Sequence, residues 1–251
     1  MKRSVAVIAG VVFCARVAWA DEVTVAVAAN FTAPMQRIAA AFEQDSGHKT
    51  KLIFGASGKF YAQIKSGAPF HVFLSADTAT PVRLERDGAA VSGTRFTYAV
   101  GKLALWSARP DVVDADGAVL RGGAFKRLAL ANPRIAPYGA AAIEVLTHLD
   151  LLAALAPKFV QGENIAQTYQ FVASGNAELG FVALSQVLQD GRLSGGSVWI
   201  VPPELYAPIR QDAVLLAVAR DQPAAAALLQ FLRGERARSI IAAYGYALPA
   251  P

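Results

Sequence analysis

The chain has 251 residues, 54% of them hydrophobic, with 24 Lys or Arg against 19 Asp or Glu. Three of the basic residues, Lys2, Arg3 and Arg16, fall in the first 20, so the remainder carries 21 minus 19, or +2, and has no basic run to mark a nucleic-acid partner. The single cysteine, Cys14, lies in the same leading stretch, which leaves the rest without a disulfide framework or thiolate metal ligands.

In chain order, Met1-Lys2-Arg3 is a basic start, Ser4 to Cys14 an apolar run, and Ala18-Trp19-Ala20 supplies small residues around a cleavage point. This is the pattern of a secretory signal over residues 1–20, exposing Asp21 on cleavage. The apolar run is shorter than the ~20 residues a membrane helix needs, and Phe13 before Cys14 argues against a lipid-anchored cysteine. An exported protein is expected. "VTVAVAAN", Val23 to Asn30, then reads as a strand. Met35, Ile38, Ala39 and Phe42 recur at the spacing of one helix face, with Pro34 suited to its first turn and Gly47 to its exit. "KTKLIF" is a second strand and Gly55 to Gly58 a turn; Phe60, Tyr61 and Ile64 mark the next helix face, and Phe70 to Asp77 a buried strand. This βαβαβ order predicts an α/β fold with a parallel sheet.

A helix and turn in "TPVRLERDGAAV" lead to one long extended segment, Thr94 to Ser107. Strand–helix alternation resumes through "RLALANP", "YGAAAIEVLTHLDLL" and "AELGFVAL". A second extended passage, Ser197 to Ala219, is broken by Pro202, Pro203 and Pro208, and helices are predicted over Gln222 to Leu232 and Glu235 to Tyr244. Two extended passages let the chain cross twice between lobes. Residues 21–101 with 210–251 are assigned to one lobe and 102–209 to the other.

"FGASGKF", Phe54 to Phe60, has the glycines and lysine of a phosphate loop. Only two residues separate Gly55 from Gly58-Lys59, however, and Phe60 stands where a magnesium-binding hydroxyl belongs. That excludes a nucleotide loop. What remains is a strand end opening into a helix. "AANFTAP" and "NPRIAPYGAAA" have the same form, and "GENIAQ" is a fourth, with Asn164 as the expected cap. The first N–H groups of a helix lack partners and the helix dipole adds partial positive charge there, so such starts hold anions without Lys or Arg. In open α/β sheets they gather beyond the carboxyl ends of the strands. Each hydrogen bond to a charged group contributes ~1.5–3 kcal/mol, so several together can offset the desolvation of a small oxyanion.

Catalysis has less to work with. His48, His71 and His148 lack metal-ligand spacing, and no nucleophile elbow or His/Cys cluster is present. A distant alternative makes Ser57 the nucleophile of an exported hydrolase, but its spacing to Lys59 is not Ser-x-x-Lys. A binding protein without a cofactor is expected, not an enzyme.

"AANFTAPMQRIAAAFE", "FGASGKFYAQIKSGAPFHVFLSAD", "ANPRIAPYGAAAIEVL", "ELGFVAL" and "AAYGYALP" together resemble the periplasmic molybdate-binding proteins of ABC uptake systems, over nearly the whole chain after the signal. The resemblance implies a type II periplasmic binding protein. It would have two lobes, each a mostly parallel sheet flanked by helices, hinged by two crossing strands and closing over molybdate or tungstate. It further implies a periplasmic monomer that delivers its ligand to a membrane permease. The family holds its oxyanion with hydroxyls, amides and backbone N–H groups, which here places Asn30 at the first turn with Ala29 beside it. Where many members read Gly-Ser-Ser-Gly, this chain reads Gly55-Ala56-Ser57-Gly58, so either the Ala56 N–H or Ser57 makes the key contact. Tyr138 and Ile165 are the implied contacts in the second lobe. Ala183 stands where some members carry a binding tyrosine, leaving the phenol to Tyr138. Lys59 is expected to face solvent, with an approach to the anion as the alternative. The rival ligands are sulfate, phosphate or another small oxyanion. A cavity of donors alone disfavours hydrogen phosphate, whose proton would lack an acceptor, and sulfate would be rejected by size.

Overall fold

A computed structural model describes residues 21–249; the expected signal, 1–20, lies outside the described residues. In chain order the first elements are β1 (Glu22–Ala28), α1 (Thr32–Ser46), β2 (Lys49–Gly55), α2 (Ser57–Lys65), β3 (Val72–Leu74), α3 (Ala79–Arg86) and β4 (Phe96–Gly101). Next come β5 (Leu103–Ser107), α4 (Val119–Gly122), β6 (Leu128–Ala131), α5 (Pro137–His148), α6 (Leu152–Leu155), β7 (Phe159–Gly162), α7 (Ile165–Ala173) and β8 (Leu179–Ala183). The chain ends with β9 (Leu188–Gln189), β10 (Arg192–Leu193), β11 (Ser197–Ile200), β12 (Ile209–Leu215), α8 (Pro223–Arg233) and α9 (Glu235–Ala243).

Two five-stranded sheets organise the molecule, in the orders β2-β1-β3-β12-β4 and β11-β5-β8-β6-β7. In the first, β1 pairs parallel with β2 and β3, and β12 runs antiparallel to β3 and β4. In the second, β6 pairs parallel with β7 and β8, and β5 runs antiparallel to β8 and β11. Each sheet is therefore mostly parallel with one reversed strand. Those two strands, β5 and β12, are the ones the chain enters on passing from one sheet to the other. The long extended segment expected over Thr94 to Ser107 is accordingly two strands, with Lys102 alone between them. The return runs through 201–208, where Pro202, Pro203 and Pro208 keep it out of either ladder.

Both faces of each sheet are covered, which is why β1, β3, β6 and β8 read as nearly continuous apolar runs rather than alternating. Val23, Val25 and Val27 of β1 pack with Met35, Ile38 and Phe42 of α1 and with Leu228 and Ile241 of the last two helices. Ala26 on the opposite face joins Phe60, Ile64 and Leu84 from α2 and α3. In the second lobe Leu105, Leu128 and Phe181 face Val145 and Leu146 of α5, while Ala104, Ala129 and Val182 pack on Val172 of α7. Tyr61, expected on the buried face of α2, is only half-buried, with the Arg83 guanidinium 4.2 Å above its ring.

Candidate functional site

Four strands end near one another: β1 at Ala28, β2 at Gly55, β6 at Ala131 and β7 at Gly162, each leading through a turn into a helix. Those turns enclose a small cavity between the lobes, walled in part by Ala29, Asn30, Ala56, Tyr138 and Ile165. A water-sized centre has about 10 Å³ in which to move there, roughly the room of one such sphere, so only a compact solute suits it. Among the described residues, no Lys, Arg, Asp or Glu side chain lines the wall.

The helix starts follow from their residues. Ala56 precedes α2 in extended conformation, at φ −78° and ψ 141°. Pro137 opens α5, where its missing N–H removes no helical bond. Asn164 caps α7, its Oδ1 accepting the Ala166 and Gln167 N–H groups at 3.0 Å each and leaving that of Ile165 out. Among the described residues, the backbone N–H groups of Asn30, Ala56, Ser57, Tyr138 and Ile165 reach no backbone carbonyl in a turn or cap. Four of these five residues, Asn30, Ala56, Tyr138 and Ile165, line the cavity and bring uncommitted main-chain donors from both lobes.

The side chains divide differently from the sequence reading. Ser57 is buried, and its Oγ accepts the Ala76 N–H at 2.9 Å. Its own proton has no acceptor among the described residues, but Ala56, not Ser57, forms the cavity wall. Asn30 donates both amide protons within the protein, to Gln211 Oε1 at 2.8 Å and to the Tyr246 hydroxyl at 2.9 Å. Its backbone N–H is what it has left to offer. Tyr138, 1% exposed, accepts from Gln211 Nε2 at 3.1 Å, and its hydroxyl also has the Tyr246 hydroxyl as a neighbour. Burial pushes the Tyr138 phenol well above its ordinary pKa, with Tyr246 and Tyr98 nearby adding to the shift, so it stays protonated and able to donate. Lys59 is not at the cavity wall: its Nζ lies 2.6 Å from the Glu163 carboxylate of the facing lobe, both side chains about half exposed.

Behind the cavity lies a buried network that the sequence reading missed. Tyr98 donates to Gln211 Oε1 at 2.9 Å, and Ser185 Oγ and the Tyr246 hydroxyl both reach the Asn30 carbonyl at 2.9 Å. The available signal was Gln211-Asp212, a polar pair inside a predicted extended segment, both 0% exposed. Asp212 is held by Arg95 at 2.6 Å and Thr97 at 2.7 Å. The lobes also meet directly, the Gly58 N–H donating to the Ile135 carbonyl at 3.0 Å.

Two lobes joined at two crossings, with uncommitted donors from each around a cavity between them, define a two-lobed solute-binding protein. The chain belongs to the bacterial extracellular solute-binding protein family, whose model matches residues 23–247. It is 61% identical over 244 residues to the molybdate-binding protein ModA of Azotobacter vinelandii, across 97% of this chain and 96% of that one. To ModA of Rhodobacter capsulatus it is 53% identical over 227 residues, across 90% and 88%. The structure of a periplasmic molybdate-binding protein from Azotobacter vinelandii matches with a TM-score of 0.89 at 42% identity, covering 91% of this chain and all of that one.

Proposed function

We propose that this protein captures molybdate between its lobes with uncharged donors and delivers it to the permease of an ABC transporter. The observation that carries the reading is the cavity itself: helix starts from both lobes, free N–H groups and a protonated phenol, and no charged side chain in the wall. Such a wall suits a small, fully deprotonated oxyanion. Its relatives named as molybdate-binding proteins support that choice of ion. The ligand set we assign is the backbone N–H of Asn30, Ala56, Ser57 and Ile165, with both the N–H and the hydroxyl of Tyr138; Ala29 packs beside them and Lys59 stays outside. Tungstate, nearly the same size as molybdate, is assigned the same site. We assign export to residues 1–20, one lobe to 21–101 with 210–251, the other to 102–209, and a monomeric state.

Calorimetric titration with molybdate, tungstate, sulfate and phosphate tests this. Molybdate and tungstate should bind with micromolar affinity or better and the other two at least ~100-fold more weakly, the difference two to three lost hydrogen bonds would make. Sulfate binding as tightly as molybdate would overturn the assignment of the ion while leaving the site in place. Binding of none of the four would overturn both.

A further inference from the structure

We infer that Gln211 is a positioning residue that turns the Tyr138 hydroxyl proton into the anion cavity; this rests on the proposed oxyanion site. Gln211 Oε1 accepts from Asn30 Nδ2 at 2.8 Å and faces the Tyr98 hydroxyl at 2.9 Å, whose one proton it shares with the Ser75 carbonyl at 3.1 Å. With the oxygen committed there, the amide must present Nε2 to Tyr138, at 3.1 Å. An amide nitrogen only donates, so the phenol oxygen accepts on that side and its single proton must leave in another direction. Tyr138 is buried and lines the cavity, and the Tyr246 hydroxyl, its competing acceptor within the protein, already accepts from Asn30 Nδ2 at 2.9 Å.

The arrangement crosses the two lobes. Gln211 comes from β12 and Tyr138 from the first turn of α5. Gly101, at the end of β4 where the chain leaves the first sheet, makes room for the pair. A Cβ there would lie 2.0 Å from the Tyr138 hydroxyl and 2.6 Å from Gln211 Nε2. The phenol is therefore aimed only while the lobes sit together, which couples the direction of one ligand hydrogen bond to closure.

The test is a double-mutant cycle read by calorimetry with molybdate. Wild-type binding comes first: if it fails, the oxyanion reading fails, and Gln211 is not at issue. Given that binding, Tyr138→Phe should weaken it by ~10-fold or more, and Gln211→Met by several-fold, through loss of a hydrogen bond to a charged group and of its direction. The decisive result is in the combination, where Gln211→Met added to Tyr138→Phe should cost less than about twofold, as expected for residues acting through one contact. Gln211→Glu should be at least as harmful as Tyr138→Phe, because a carboxylate accepts the phenol proton and draws it away from the cavity. Independent effects in the cycle, or wild-type affinity in Gln211→Glu, would overturn the inference. Should the variants not fold, wild-type protein labelled with ¹⁵N supplies the readout. The Gln211 Nε2 resonance should shift on adding molybdate as the phenol polarises, and a resonance that stays in place would equally overturn it.

Discussion

At the residue scale the site is a question of which protons are free. The resemblance placed Asn30 at the first binding turn without saying which of its atoms is free, and both its amide protons are bound inside the protein. That was not legible in the sequence, because the acceptors that hold them, Gln211 and Tyr246, are 181 and 216 residues away in the chain. Tyr138 was expected as the phenol from the resemblance, and it lines the cavity. The three buried phenols of the network also set a pH dependence. Burial raises the pKa of Tyr246 to about 12 and those of Tyr98 and Tyr138 well above the ordinary value. A phenol whose native pKa is raised binds its proton more tightly folded than unfolded, so its contribution is intact below pH ~10 and is lost as pH rises toward the native value. Each such proton changes stability by about 1.4 kcal/mol per pH unit, and three together by about 4, between pH ~10 and ~12. Urea unfolding at pH 9, 10 and 11 should reveal this decline, and Tyr246→Phe should remove about one third of the slope. An unchanged slope in that variant would contradict the assignment.

At the element scale the helix starts were visible from the sequence because glycine, proline and Asn caps are local signals. The change of lobe between Gly101 and Lys102 was placed from the sequence, but the segment was read as one extended run, because Gly101-Lys102 is too short an interruption to mark two separate strands. Two glycines show how the same substitution acts differently within a lobe and between lobes. Gly139 lies in the first turn of α5, and a Cβ there would stand 2.2 Å from the Ala131 carbonyl oxygen of the same lobe. Neither backbone can yield, so Gly139→Ala should lower the melting temperature of the ligand-free protein by several degrees, the shift a loss of ~1–3 kcal/mol gives in a chain of this size. Gly58 lies in α2, and its added Cβ would sit 3.0 Å from Cα and Cβ of Ile135, across the cleft. The lobes can part slightly to relieve that contact. Gly58→Ala should therefore leave the ligand-free melting temperature nearly unchanged while weakening molybdate about tenfold, through loss of the Gly58 hydrogen bond to Ile135 and looser closure. Calorimetry beside differential scanning fluorimetry separates the two. The pair fails as a test of closure if both glycines affect the same measurement.

At the scale of the whole molecule, neutral recognition makes a statement about salt. A dianion held by lysine or arginine at the surface would bind progressively less well as ions screen the pair. Here, among the described residues, the wall carries no charged side chain, and Lys59, which reaches across the cleft, is committed to Glu163 at the half-exposed rim. An exposed pair of this kind contributes ~0.2–1 kcal/mol, which caps its effect on affinity at about fivefold. The buried donors, in contrast, are shielded from solvent ions by the lobes themselves. Lys59→Met should therefore change the molybdate dissociation constant by less than about fivefold, and that difference should fade as sodium chloride is raised from ~20 to ~500 mM and the Debye length shortens. Tyr138→Phe should lose the same factor at every salt concentration, because its missing hydrogen bond lies where counter-ions do not reach. If Lys59→Met instead abolishes binding, or wild-type affinity collapses in high salt, the anion is gripped by charge at the rim and the helix starts are secondary.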